Sequence, residues 1–363
     1  MASRLRTARR VQPGDLTVKV MMYKAYLLLL SLLLVNCGDA PKDNAGKATA
    51  PIAVAPVEAG AVTEPVAIVP IFDADSAFSF VERQVAFGFR VPGTVTHRKC
   101  GDYLVAKLRS YGAEVIEQAV DLKAYNGDAF RARNIIAQFQ PQKQERVMLC
   151  AHWDTRPWAD SDPDKSNHYK PILGANDGGS GVGVLLEVAR QLSMNPTGVG
   201  VDIILFDAED YGLHENDVER YSANRHSWAL GSQYWSYFPH VAGYSPRYGI
   251  LLDIVGAPGS VFHQEYYSMY FAPDIVRKVW RWARKAGYQA YFVNEEGGAV
   301  TDDHFYVNST AGIPCVDIIN YDPESPNGFG AHHHTVKDNM DWIDAATLKA
   351  VGQTVLTVIY NEK

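Results

Sequence analysis

Two kinds of apolar pattern alternate along the chain. Ala77–Phe89 and Tyr103–Tyr111 carry apolar residues at helical spacing, and Gly112 stands where a helix should stop. The pattern then changes to short runs rich in Ile, Val and Leu: Ala132–Phe139, Arg146–Ala151, Val201–Phe206, Ile250–Val255 and Ile313–Ile319. Such runs are typical of strands buried on both faces. Amphipathic helices are predicted between and after them, at about Gly181–Leu192, Asp274–Ala286 and Ala345–Tyr360. Strands alternating with helices predict an α/β fold, a three-layer α/β/α sandwich with a central mixed, mostly parallel sheet. In such folds ligands bind beyond the carboxyl ends of the strands. No internal repeat is visible.

The amino-terminal part reads differently. Lys24 precedes an apolar run from Ala25 to Val35 that ends at Asn36-Cys37-Gly38. This run is too short to span a bilayer as a helix, which takes about 20 residues, but it suits the apolar region of a secretory signal. Leu34-Val35-Asn36-Cys37 resembles the lipobox of bacterial lipoproteins, although Asn36 departs from the small residue usual there. Residues 1–37 are therefore expected to be an export signal. Residues 38–69, largely Ala, Pro, Val and Glu, are expected to be a flexible tether, and 70–363 a single globular α/β/α domain. These expectations place an exported bacterial protein on the periplasmic side, held to a membrane only through a lipid at Cys37.

The 363 residues, 47% of them hydrophobic, suffice for a substantial core. Net charge is −7, but the six basic residues of the signal mask a more acidic remainder, with 28 basic and 40 acidic residues after Cys37. That balance argues against nucleic acid as a partner. The Gly-rich run Gly178-Gly179-Ser180-Gly181-Val182-Gly183 lacks the Lys-Ser/Thr of a phosphate cradle. Of the remaining cysteines, Cys150 and Cys315 fall in apolar strand-like runs and are read as core, while Cys100 has no assigned role.

Acids and histidines recur near successive strand ends. His152-Trp153-Asp154 follow the second predicted strand, Asn176-Asp177 come later, and Asp207-Ala208-Glu209-Asp210 follow the third. Asp253 sits near the end of the fourth, Asp302-Asp303-His304 precede the strand that holds Asp317, and His332-His333-His334-Thr335 stand before the last helix. Each taken singly reads equally well as a cap, a turn or a solvated strand end. Together, carboxylates and imidazoles without paired cysteines form a ligand set for catalytic zinc.

The order His-x-Asp, Asn-Asp-Gly-Gly-Ser-Gly, Phe-Asp-x-Glu-acid, Leu-Asp-x-x-Gly-Ala, Asp-Asp-His and His-Thr resembles the zinc aminopeptidase-like clan. Within it the chain is most similar to the zinc-dependent glutaminyl-peptide cyclotransferases, or glutaminyl cyclases, of animals and bacteria. The resemblance is carried by Cys150–Asp160, Pro171–Gly183, Phe206–Gly212, Trp228–Trp235, Leu251–Ala257, Asp302–Phe305 and His334–Asn339. It implies one Zn2+ per chain on Asp177, Asp210 and His334, with Glu209 as general acid/base hydrogen-bonded with Asp253 and Asp302. Asp210 replaces the longer Glu of the animal enzymes, while Asp317 and His333 stand where those enzymes differ. Trp153, Trp158 and Trp228 are candidates for the apolar wall of a substrate pocket, each reading equally well as core or surface packing, and Asp317 and His333 are added to that pocket. His152 and Asp154 are candidates for a second metal or for support of the first.

The implied reaction cyclises an N-terminal glutamine to pyroglutamate with release of ammonia. Peptides and exported proteins that begin with glutamine are the expected substrates. The rival reading is a zinc aminopeptidase of the same clan, with a second zinc on His152 and Asp253 and a water activated by Glu209. A third is a scaffold that keeps the fold without catalysis.

Overall fold

The computed structural model describes residues 68–221, 226–325 and 327–363. The expected signal, Cys37 and nearly all of the tether lie outside the described residues. No helix among the described residues is long and apolar enough to cross a membrane.

Two helices open the fold, α1 at Ala74–Val85 and α2 at Val95–Ser110. Both start at side-chain caps: Asp73 accepts from Ser76 N and Thr94 from His97 N, satisfying amides that the first turn leaves unpaired. The Thr94 cap starts α2 well before the predicted Tyr103, across polar residues that weaken the apolar spacing. There follow β1 (Glu114–Lys123), β2 (Ala129–Phe139), β3 (Arg146–His152), α3 (Gly179–Met194) and β4 (Gly200–Phe206). Then come α4 (Leu230–Tyr237), β5 (Gly249–Asp253), β6 (Phe262–Gln264), α5 (Tyr266–Phe271), α6 (Pro273–Lys285), β7 (Phe292–Glu296), α7 (Asp303–Ser309), β8 (Cys315–Ile319) and α8 (Ala345–Tyr360).

Six strands form one sheet in the order β1-β2-β4-β3-β5-β8. β1 and β2 run antiparallel to their neighbours, whereas β4, β3, β5 and β8 are mutually parallel. β3 and β4 are buried at every position. Along β3, Val147, Leu149 and Ala151 face a large core shared with α1, α2, α3, α6 and α8. Met148 and Cys150 face a smaller core under Trp235 of α4 and Val307 of α7. Helices thus cover both faces, and the parallel strands deliver their carboxyl ends to one edge.

The glycine run after Asp177 serves packing. A Cβ at Gly181 would lie 2.2 Å from the Leu252 carbonyl, and one at Gly183 would lie 2.5 Å from Val81. Only glycine lets α3 approach β5 and α1 so closely. Cys100, Cys150 and Cys315 are buried and form no disulfide among the described residues.

Candidate active site

The strand ends build the site in chain order. β3 closes on His152, whose Nε2 lies 3.1 Å from Asp177 Oδ1 and 3.1 Å from Asp253 Oδ1. Asp177 stands just ahead of α3, and its amide and that of Asn176 both donate to the Asp338 carboxylate, at 3.0 and 2.8 Å. Beyond β4, Asp207 accepts from Arg133 N at 2.6 Å and from Ala208 N at 2.8 Å and pairs with His97. The chain then turns at Ala208, φ +55°, into Glu209 and Asp210. One carboxylate, that of Asp154, accepts from Glu209 N at 3.1 Å and from Asp210 N at 3.2 Å. β5 ends at Asp253 because Ile254 takes φ +41°. That conformation is strained for a β-branched residue, and such strain clusters at functional sites. Asp302 caps α7 through Asp303 N.

His334, also at positive φ, brings its Nε2 to 3.4 Å from Asp177 Oδ2 and 3.3 Å from Asp210 Oδ1. Asp177 Oδ2 and both Asp210 oxygens are buried and lack hydrogen-bond partners among the described residues. Buried carboxylate oxygens left unpaired are costly unless something cationic engages them. Two carboxylates and an imidazole converging in this way suit a zinc ion with an open position for substrate.

Electrostatics separate the acids into two groups. Burial opposes charge on Asp177, but His152 and His334 hold its carboxyl well below the ordinary value. Burial and the neighbouring Asp302 push Glu209 well up, and burial together with Asp253 lifts Asp302 to about 7. Asp210 is raised to about 6 by burial and by Asp177. Burial and Arg156 disfavour charge on His334, yet Asp210 and Asp177 raise it to about 9. Carboxyls this close resist simultaneous ionisation, so burial and mutual repulsion favour the protonated forms of Glu209 and Asp302.

A cavity of about 570 Å³ opens over these groups. Asp177, Glu209, Asp253 and Asp302 line its floor, with His333 and His334 beside them. Trp228, Leu213, Val218, Tyr221, Ile254, Ile319, Val300 and Phe329 supply an apolar wall. Trp228 stacks on His334 at 5.7 Å and lies under the Arg156 guanidinium at 4.5 Å.

Two of the five expected pocket residues, Trp228 and His333, line this cavity; Trp153, Trp158 and Asp317 do not. Trp153 is fully buried in the core, stacked on His97 at 4.2 Å and donating to Arg133 O. Trp158 packs among Tyr125, Tyr211 and His214. Asp317 lies beneath the site, its Oδ2 3.6 Å from His304 Nδ1. Asp154 supports the Glu209–Asp210 turn, whereas His152, Asp177 and Asp253 form a second group of potential ligands. Sequence reasoning missed Asp338, and it missed the buried Arg156–Asp160 pair, joined at 2.7 and 2.6 Å, which backs Asp210 through Arg156 Nη1 and Asp210 O. The i,i+4 spacing of Arg156 and Asp160 was the one available signal.

The sequence profile of peptidase family M28 matches residues 134–359. Among solved structures, a glutaminyl cyclase from Bacteroides thetaiotaomicron bound to N-acetylhistamine is 56% identical, with a TM-score of 0.79, over 81% of this chain and 100% of that one. A Zn-dependent exopeptidase from Parabacteroides distasonis is 54% identical over the same shares, also with a TM-score of 0.79. Aminopeptidase YwaD of Bacillus subtilis is 26% identical over 67% of this chain, and that match spans 47% of YwaD, just under half its length. The profile match covers well over half of the residues, from β2 to α8, and the chain accordingly belongs to peptidase family M28.

Proposed function

We propose that the protein is a zinc-dependent glutaminyl-peptide cyclotransferase that converts N-terminal glutamine to pyroglutamate and releases ammonia. The observation that carries this reading is the buried pair Glu209 and Asp302 facing the same apolar-walled cavity as Asp177, whose Oδ2, like both Asp210 oxygens, is buried without a hydrogen bond among the described residues. Identity of 51–56% to bacterial glutaminyl cyclases over most of the chain supports it.

One zinc held by Asp177, Asp210 and His334 supplies, when bound, the Lewis acidity that polarises the γ-carboxamide oxygen of the substrate. Glu209 accepts a proton from the α-amine as that nitrogen bonds to the γ-carboxamide carbon. Glu209 then returns the proton to the departing amide nitrogen, which leaves as ammonia when the old C–N bond breaks. Asp302 and Asp253 line the same cavity floor as Glu209, and burial with the nearby Asp302 carboxyl favours the protonated form of Glu209. Nucleophile and electrophile belong to one residue, so the apolar wall contributes mainly by holding a near-attack conformer and excluding water.

A two-metal aminopeptidase is the second reading. It is favoured by the convergence of His152, Asp177 and Asp253, whose donor atoms lie together as a further potential ligand group. Metal analysis of the purified protein separates the two: one zinc per chain with ammonia release supports the cyclotransferase, and two metals with release of a free amino acid support the peptidase.

Location is part of the proposal. Exported proteins beginning with glutamine are the substrates, and a lipid on Cys37 holds the enzyme beside them. Radiolabelled palmitate should enter the unsubstituted protein and not Cys37→Ala; equal labelling would remove the anchor from the account.

A further inference from the structure

Glu265 belongs neither to the ligand set nor to the acids of the cavity, yet its carboxylate reaches around one of those acids. It precedes α5 and is buried. Oε1 accepts from Tyr267 N at 2.9 Å and Val300 N at 3.0 Å. Oε2 accepts from Ser268 N at 2.6 Å and lies 3.0 Å from His304 Nε2. The bonds to Tyr267 and Ser268 are an ordinary helix cap, and a cap needs no more than these.

The other two partners point elsewhere. Val300 lies two residues before Asp302, and His304 two residues after it. A single carboxylate therefore fastens both flanks of Asp302, one to each oxygen. Residues 299–302 line the cavity. The same stretch is tied further back by Gly297 N to Gln264 O at 2.8 Å and Tyr266 N to Gly298 O at 3.1 Å. Asp317 N donates to Ser268 Oγ at 2.9 Å, which joins α5 to β8 on the far side. A carboxylate with acceptor positions filled from four directions has little freedom to move, and charge-assisted bonds of this kind are the strong ones.

We infer that Glu265 is a positioning residue for the reaction, its carboxylate clamping residues 300 and 304 so that Asp302 is held at the cavity floor beside Glu209. The inference rests on the catalytic reading of Asp302 given above. A glutamine at this position keeps the size but turns an NH2 toward at least one donor, so the clamp loses a side.

The test uses the full-length, zinc-loaded enzyme. Glu265→Gln should lower kcat by about tenfold or more with KM changed less than about threefold, since misplacing a catalytic group costs rate more than binding. Far-UV circular dichroism and zinc content should stay as in the unsubstituted enzyme. His304→Gln breaks the other half of the clamp and should show the same split, and the double variant should lose little more than the worse single one. An unchanged kcat per folded, zinc-loaded molecule in either variant would overturn the inference, as would losses that simply add. If Glu265→Gln does not fold, the His304→Gln result decides alone. Failure of the unsubstituted enzyme to cyclise a glutamine peptide counts against the functional reading instead, and the clamp is then read in whichever peptide hydrolysis that enzyme performs.

Discussion

Glu209 is buried against Asp302 and Asp210, and each of these pushes its proton on. Removing its ability to ionise should therefore stop the chemistry without disturbing the metal. Glu209→Gln is expected to lower kcat by about 10² to 10⁴, the usual contribution of a general acid/base, with zinc per chain unchanged by elemental analysis. Zinc lost in parallel with activity would place Glu209 among the ligands. Asp160 offers a stability test at the same scale. Burial works to raise its pKa, but the Arg156 guanidinium prevails and brings it from 3.8 to about 2. A depressed carboxyl stabilises the fold above its unfolded pKa and loses that contribution as the pH falls through its folded one. Stability should thus fall by about 2 kcal/mol between pH 4 and pH 2, and Asp160→Asn should flatten that part of a urea-unfolding series. An equally steep fall in the variant would contradict the assignment. Glu209, Asp210 and Asp253 stand out in the sequence because they lie at or just after a buried run, and Asp177, Asp302 and His334 because they fall in the phrases that carry the resemblance. Trp153, a candidate that read equally well as core, lies in the core; a tryptophan beside a strand-end histidine looks the same in sequence whether it turns to the cavity or to the core. Glu265 left no trace, since its partners at Val300 and His304 lie 35 and 39 residues away.

At the scale of elements, the fully buried strands declared themselves through their apolar runs, and α3, α6 and α8 through amphipathic spacing. β1 did not. It is an edge strand with Glu114, Glu117, Asp121 and Lys123 among its residues, a polar composition that guards an open sheet edge and erases the apolar signal. α5 and α7 are too short for a helical period to show. The predicted fourth strand ran on to Val255 because Ile254 and Val255 extend its apolar run, while the positive φ of Ile254 ends it at Asp253. One element contact controls the cavity wall directly. A Cβ at Gly212 would lie 2.0 Å from the Trp228 ring, which stacks on His334. Gly212→Ala should push Trp228 aside and raise KM for glutamine peptides while costing about 1–3 kcal/mol of stability, the range for overpacking. An unaltered KM would show that Trp228 does not face bound substrate.

For the whole molecule, the sheet order delivers β3, β4, β5 and β8 in parallel to one edge, where three strand-following segments and the loop of His334 meet. The fold leaves Asp177 and Asp210 with buried oxygens that have the His334 imidazole nearby but form no hydrogen bond among the described residues. A ligand that binds only the folded state adds RT ln(1 + [L]/Kd) to stability. Stripping zinc with a chelator should therefore lower the melting temperature, and added zinc should restore it. Identical melting curves with and without chelator would contradict the ligand assignment. The layered architecture and the overall family were readable before the fold was known. Whether the second ligand group at His152 and Asp253 fills was not, because the same residues serve one metal or two.

The most direct test incubates the purified, zinc-loaded protein with a peptide beginning with glutamine and follows ammonia and the mass of the peptide together. Ammonia released in step with an otherwise intact peptide, lighter by one ammonia and blocked at its amino terminus, is the predicted result. Free glutamine with a peptide shortened by one residue would contradict the cyclotransferase and make the protein an aminopeptidase.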